Sequence, residues 1–187
     1  MNDWINRQRY DPFVRKRNDE NVIARSYFKI EEIFEEFFKK QTIKRVLDLG
    51  SAPGGWSQYF NKHKYYVIGI DLLPMKIAIN EFYQQDILNE IPNFQKVDMI
   101  CSDIAPNLSG NKTVDNAIMC DISEKVTKCI DTYLVKGGSF VTKVFMGDSF
   151  NLMQNNLKSR FTSVKVFKPK ASRSESSEIY IVAKSLK

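Results

Sequence analysis

The 187-residue sequence holds one histidine, set between two lysines as Lys62-His63-Lys64. A lone histidine in that setting reads as a surface residue. Its scarcity excludes chemistry built on several histidines, such as most zinc hydrolases and any conventional Ser-His-Asp triad. Cysteine is nearly as rare. Cys101, Cys120 and Cys129 are odd in number and match no zinc spacing. Three free thiols in a reducing compartment are expected, with Cys101 a small core residue inside the apolar run 97–102. No run of about 18 apolar residues is present, so no membrane-spanning helix is expected. The first residues lack the apolar core of a secretory signal. They contain arginines, but Asp3, Asp11, Asp19 and Glu20 among them make a poor mitochondrial presequence. An intracellular protein is expected, with cytoplasm, nucleolus and an organelle such as the mitochondrion all left open.

What is present suits one globular domain. Hydrophobic residues make up 43% and charged residues 27% of the chain, ordinary values for a domain able to bury its own core. The net charge of +6 is unevenly spread. Residues 1–29 carry seven basic and four acidic side chains, and residues 158–187 carry eight and two. The intervening chain is net acidic. Two readings remain open on charge alone: basic ends that meet a polyanion, or lysines that keep the protein soluble.

Periodicity gives the elements. Ser26–Lys40 predicts a helix, because Ile30, Ile33, Phe34, Phe37 and Phe38 form one stripe opposite Glu31, Glu32, Glu35 and Glu36. Arg45–Gly50 reads as a buried strand, Gly54–His63 as a helix and Tyr65–Asp71 as a second strand. Tyr83–Asp86 reads as a short third strand and Val97–Asp103 as a fourth. Ile118, Ile122, Val126, Ile130 and Leu134 recur every four residues as a long helix, stopped by Lys136-Gly137-Gly138. Ser139–Phe145, Ser163–Phe167 and Glu178–Ala183 read as further strands, and Asp148–Ser159 as a helix capped by Asp148. Lys168–Ser177 is a basic linker with Ala171 as its one apolar anchor. Alternating strands and helices predict an α/β fold, a mostly parallel sheet covered on both faces. Ligands of such sheets bind at the carboxyl ends of the strands. Gly50, Asp71 and Asp103 fall at that edge. Residues 1–24 read as a basic arm and 25–187 as the folded domain.

The densest signal is Asp48-Leu49-Gly50-Ser51-Ala52-Pro53-Gly54-Gly55-Trp56, a strand running through a glycine turn into a helix. Glycine lets a backbone approach a ligand closely, and proline fixes one dihedral of the turn. The spacing is not G-x-G-x-x-G, which sets a pyrophosphate on a helix N-terminus. A ligand without phosphate, such as S-adenosylmethionine, fits better. Asp71, ending the second strand, is placed to accept from ribose hydroxyls, as in dinucleotide folds. Asp86 is placed to accept from an adenine amino group, or else caps a turn. Trp56 either walls the site or joins the core.

These strings resemble the FtsJ/RrmJ group of RNA ribose 2′-O-methyltransferases. The resemblance rests on DLGSAPGGWSQY (Asp48–Tyr59), DLLPM (Asp71–Met75), SDIAPNLSG (Ser102–Gly110), GGSFVTKVF (Gly137–Phe145) and KPKASRSESSEIYIVA (Lys168–Ala183). The opening RSYFKIEEI (Arg25–Ile33) belongs to it too. The likeness spans about residues 9–184 in the right order. It implies a single Rossmann-like domain with a seven-stranded sheet whose last strand is antiparallel. It also implies S-adenosylmethionine as cofactor, with a binding set of Gly50, Ser51, Pro53, Gly54, Gly55, Trp56, Asp71, Leu72, Asp86, Ile87 and Asp103. The family's Lys-Asp-Lys-Glu set falls on Lys29, Asp103, Lys143 and Glu178. From the residues alone, Asp103 is singled out by its place at a strand end. Lys143 is singled out because a lysine among Phe140, Val141, Val144 and Phe145 is costly unless paired or functional. Lys29 and Glu178 would otherwise read as surface charges.

The implied reaction is an in-line methyl transfer, in which placement of the acceptor oxygen supplies much of the rate. The ribose hydroxyl must also share or lose its proton. A neutral Lys143 would serve as base, and a charged Lys143 would steer the hydroxyl lone pair. Asp103 would orient it, and Glu178 and Lys29 would hold the ribose. The expected RNA surface joins the two chain ends: Arg7, Arg9, Arg15, Arg17 and Arg25 with Lys168, Lys170 and Arg173, as phosphate contacts. Tyr10, Phe13 and Tyr27 are candidates for stacking on a base or for the core. The expected partner is ribosomal RNA or a pre-ribosomal particle, typically through a uridine of the large-subunit RNA. Transfer RNA is the alternative within the family, and a non-catalytic RNA-binding module is the alternative outside it. The missing glycine spacing argues against an NAD-dependent oxidoreductase. The sequence Asp103-Ile104-Ala105-Pro106-Asn107, with no aromatic to stack a flipped base, argues against an amino-directed methyltransferase. A monomer without metal is expected.

Overall fold

A computed structural model describes residues 16, 20–89, 91–104, 112–145, 148–173 and 176–187. Arg7, Arg9, Arg15 and Arg17, with Tyr10 and Phe13, lie outside the described residues. Among the described residues four helices run as α1 (Ser26–Phe37), α2 (Gly55–Lys62), α3 (Lys112–Tyr133) and α4 (Asp148–Arg160). Seven strands are β1 (Arg45–Leu49), β2 (Tyr66–Asp71), β3 (Glu81–Gln84), β4 (Val97–Ser102), β5 (Leu134–Phe145), β6 (Phe161–Phe167) and β7 (Glu178–Leu186). They form one sheet in the order β3-β2-β1-β4-β5-β7-β6. The pairs from β3 to β5 are parallel, and β7 lies antiparallel between β5 and β6. This is the α/β fold expected, with its switch in strand order between β1 and β4.

Alternation along each strand sorts the core into two layers. Val46, Val67, Met99, Cys101, Val141, Tyr180 and Val182 pack with Ile30, Ile33, Phe34, Tyr59 and Phe60 of α1 and α2. Leu47, Leu49, Ile68, Ile70, Ile100, Phe140 and Ile181 pack with Val126, Ile130, Met153 and Leu157 of α3 and α4. Tyr27 belongs to the first layer, with its ring centroid 5.6 Å from that of Tyr59. It is a core residue rather than an exposed stacking platform.

Several ends differ from the expected ones. The third strand covers Glu81–Gln84 rather than Tyr83–Asp86, because Phe82 and Tyr83 pair in register with Gly69 and Ile70 of β2. Asp86 therefore lies two residues past the strand. The long helix stops at Tyr133, and Leu134 begins β5, paired with Val97. The four-residue spacing alone would extend the helix through Leu134. In the structure the buried edge of β4 recruits that residue, and the register shifts between Val97 and Met99. Gly137, at φ +79°, thus turns the chain within an irregular strand rather than at a helix end.

Candidate active site

The sheet brings one row of side chains to its carboxyl edge beneath α1. Asp48 pairs in register with Cys101, Cys101 with Val141 and Val141 with Val182. Two residues further along, Lys143 stands opposite Tyr180. Asp103 follows the end of β4, where its amide still donates to the Leu49 carbonyl at 3.3 Å. The period of two keeps Lys143 and Tyr180 on the α1 side, together with Glu178 two residues earlier in β7. Lys29 comes from α1 on the same side.

Lys143 is 8% exposed, so its charge must be compensated locally. Its Nζ lies 3.1 Å from Asp103 Oδ1 and donates to the Asp103 carbonyl oxygen at 2.5 Å. Among the described residues those two oxygens are the amine's partners, and they take two of its three substituent directions. The remaining direction is a third N–H in the ammonium form and a lone pair in the neutral form. Lys29, expected at the surface from its residue type alone, is also only 8% exposed, and its Nζ lies 2.5 Å from Glu178 Oε1. The four residues assigned by resemblance thus form two ion pairs, each a buried lysine against a partly buried carboxylate.

Tyr180 joins this set, although no sequence pattern singled it out. Its hydroxyl donates to Asp103 Oδ1 at 2.8 Å, the same oxygen that faces Lys143. Burial, and then the Asp103 charge, push its phenol well above the ordinary range, so it stays a donor. Lys29 Nζ is 5.9 Å from the ring centroid, and the Trp56 ring lies 5.8 Å away. A signal did exist: a tyrosine two residues from Glu178 must share its face of the strand.

The glycine turn is built as the spacing demands. Gly50 has φ +76°, and a Cβ there would sit 2.5 Å from Ile104 Cγ1. Gly54 has φ +120° and would meet Ile77 Cγ1 at 2.8 Å. Asp71 ties the turn to its own loop, accepting from the Ala52 amide through Oδ2 and from the Leu73 amide through Oδ1, each at 2.8 Å. Asp86 Oδ1 accepts from the Leu88 amide at 2.9 Å, the turn-capping geometry weighed as its alternative. Ile87 is buried beside it, whereas Leu72 is exposed. Gly55 opens α2 against α1, where a Cβ would collide with Ser26 Oγ. The Pro53 carbonyl accepts from the Lys76 amide at 3.1 Å.

Three buried polar atoms around this turn have no hydrogen-bond partner among the described residues: Asp48 Oδ1, Ser51 Oγ and Trp56 Nε1. Asp48 is fully buried, with Ser57 Oγ donating to its Oδ2 at 2.6 Å. Burial pushes its carboxyl up to about 7; the Ser57 bond opposes this, and the charges of Asp103 and Asp71 add to it. An acid inside an apolar strand could have been singled out by the criterion that singled out Lys143.

On the basic side, Arg25 Nη2 donates to the Ala171 carbonyl, so the start of α1 and the closing linker touch. Lys170 and Arg173 are exposed, and Lys168 extends its amine across the linker surface. Cys101 and Cys129 are buried, Cys120 is exposed, and all three are free thiols.

Residues 22–186 match the model of the FtsJ-like methyltransferases. A protein named ribosomal RNA large subunit methyltransferase E from Coxiella burnetii (strain Dugway 5J108-111) is 37% identical, over 96% of this chain and 92% of its own length. A protein of the same name from Wolbachia pipientis wMel is 39% identical, over 92% of this chain and 94% of its own. Among solved structures, a ribosomal RNA methyltransferase from Plasmodium falciparum superposes with a TM-score of 0.76 at 29% identity, covering 87% of this chain and 97% of that one. The two lysine–carboxylate pairs beside a glycine turn thus stand in a chain that belongs to the FtsJ-like methyltransferase family.

Proposed function

We propose that this methyltransferase moves a methyl group from S-adenosylmethionine to a ribose 2′-hydroxyl of large-subunit ribosomal RNA, with a uridine as the expected acceptor. The observation that carries the reading is Lys143, buried at the carboxyl edge with two amine directions fixed by Asp103 and one left for a hydroxyl. The names of the relatives support the choice of RNA.

The residues at the glycine turn fit this cofactor. S-adenosylmethionine carries a cationic sulfonium and amine, and Asp71 and Asp103 stand at the carboxyl ends of β2 and β4, with the buried Asp48 close to both. Asp48 Oδ1 and Ser51 Oγ are buried atoms awaiting partners. The turn at Gly50 and Gly54 has no room for side chains. Gly50, Ser51, Pro53, Gly54, Gly55 and Trp56 would hold the amino-acid end, and Asp71, Leu72, Asp86 and Ile87 the nucleoside. The cofactor supplies a methyl group on a good leaving group. The protein's own part is to aim the acceptor. Lys143 holds the hydroxyl through its remaining direction and takes or shares its proton. Asp103 fixes the Lys143 amine, Tyr180 fixes Asp103, and Lys29 with Glu178 bounds the ribose side. Closely placed, well-oriented groups do most of the work in such a displacement.

Mapping of ribose methylation across total RNA, with and without the protein, tests the proposal. Loss of one site in large-subunit RNA is expected. Loss confined to transfer RNA would transfer the reading to the alternative branch, and no change anywhere would leave only RNA binding.

A further inference from the structure

Segment 168–177, which joins β6 to β7, is rich in lysine, arginine and serine and holds only two apolar residues, Pro169 and Ala171. Such composition gives a loop no intrinsic reason to keep one shape. Here the shape is imposed from α1. Both oxygens of Glu32 are used: Oε2 accepts from the Lys170 amide at 2.7 Å and Oε1 from the Ala171 amide at 2.8 Å. Arg25 donates to the Ala171 carbonyl. The Ala171 methyl is buried, and the Ser172 amide closes a turn on the Pro169 carbonyl at 2.9 Å. Lys168 Nζ donates across the loop to the Ser176 carbonyl at 2.9 Å. Lys170 and Arg173 remain exposed to solvent.

Arg25, Lys29 and Glu32 follow the spacing i, i+4, i+7, one face of a helix. That face grips the segment at both ends. Glu32 and Arg25 hold its first turn, and Lys29 holds Glu178, the first residue of β7. A carboxylate accepting two backbone amides makes charge-assisted bonds, stronger than neutral ones. Ordering a flexible basic loop at the moment of binding costs affinity, and a loop ordered beforehand avoids that cost.

We infer that Glu32 is a positioning residue for the RNA substrate: it locks the basic turn 168–173 to the helix that carries Lys29, so that the phosphate contacts are ordered before RNA binds. The inference rests on the reading that this turn contacts RNA.

Glu32→Gln keeps the side-chain shape but turns one acceptor into an NH2 group facing a backbone N–H. In the whole protein, hydrogen exchange at the Lys170 and Ala171 amides should then accelerate. Affinity for an unmodified large-subunit ribosomal RNA transcript should fall about tenfold, the effect of losing one charge-assisted bond. S-adenosylmethionine affinity and the rate at saturating RNA should hold within about twofold, because Glu32 touches neither reacting group. The triple variant K168A/K170A/R173A closes a cycle. With the cations gone, adding Glu32→Gln should cost no further RNA affinity. An equal further loss on that background overturns the positioning role, as does unchanged exchange at the two amides. A triple variant that binds RNA like the wild type removes the basic surface itself, and the inference falls with it.

Discussion

Lys143 and Asp48 are ionisable side chains inside buried strands, and each can be tested singly. Lys143→Ala should lower methyl transfer on the order of 10²–10⁴-fold, while cofactor affinity changes little. Lys143→Arg should not rescue it, since a guanidinium neither accepts a proton nor fits beside Asp103. Single-turnover transfer measured beside thermal unfolding separates this from a structural role. A variant that melts far lower yet transfers normally when folded would make Lys143 a counter-ion only. Asp48 gives a pH test. Its carboxyl titrates at about 7 in the fold against an ordinary value of 3.8. A folded value above the unfolded one means that the native state binds the extra proton. Stability from that proton is complete below pH 3.8 and is lost as pH rises through 7. Asp48→Asn cannot titrate, so the stability of wild type minus that of the variant, from urea unfolding, should fall steadily from about pH 4 to 7, by at most about 4 kcal/mol. A difference that stays flat would show that Asp48 keeps its ordinary acidity.

At the scale of elements, Asp71 acts on two chain segments at once. Because its two oxygens each accept a backbone amide, it braces the glycine turn and the loop after β2 together. Asp71→Ala should weaken S-adenosylmethionine binding at least about tenfold by calorimetry, roughly the loss of one hydrogen bond to a charged group. Tighter binding of NAD than of S-adenosylmethionine to the wild type would overturn the cofactor assignment. Most elements were legible because burial imposes a clean period. Apolar runs ending in Gly50, Asp71 and Asp103 identified β1, β2 and β4 and the edge where they end. The four-residue stripe identified α3. The failures fall where period is weak or partners decide. β3 is half-buried and short, so its register comes from β2 rather than from its own pattern. Leu134 fits either a helix stripe or a buried strand, and only pairing with Val97 decides. The proposed catalytic set shows the same division. Lys143 and Asp103 stand out by position, while the burial of Lys29 and its pairing with Glu178 depend on the docking of α1 over β7, which no local pattern encodes.

At the scale of the whole molecule, charge tests the proposed RNA surface. Both chain ends are basic and the stretch between them is acidic, a distribution visible in the sequence. The hydrogen bond from Arg25 to Ala171 brings the start of α1 against the closing linker, although they lie 146 residues apart. Cations that neutralise phosphates release counterions, so each such pairing adds to the salt dependence of binding. The sequence before α1 carries Arg15 and Arg17, the nearest further cations in sequence apart from Lys16, which is 3.6 Å from both Glu20 and Glu31. Replacing Arg15 and Arg17 with alanine should weaken RNA binding about equally for every sequence tested. It should also reduce the slope of log affinity against log salt by about 0.7–0.9 for each phosphate that is no longer neutralised. Base-reading side chains would behave differently, relaxing sequence preference with little change in slope. Titrations at several salt concentrations distinguish the two. A double variant that keeps the wild-type slope would remove the arm from the RNA surface and leave the face to Arg25 and the turn beside it.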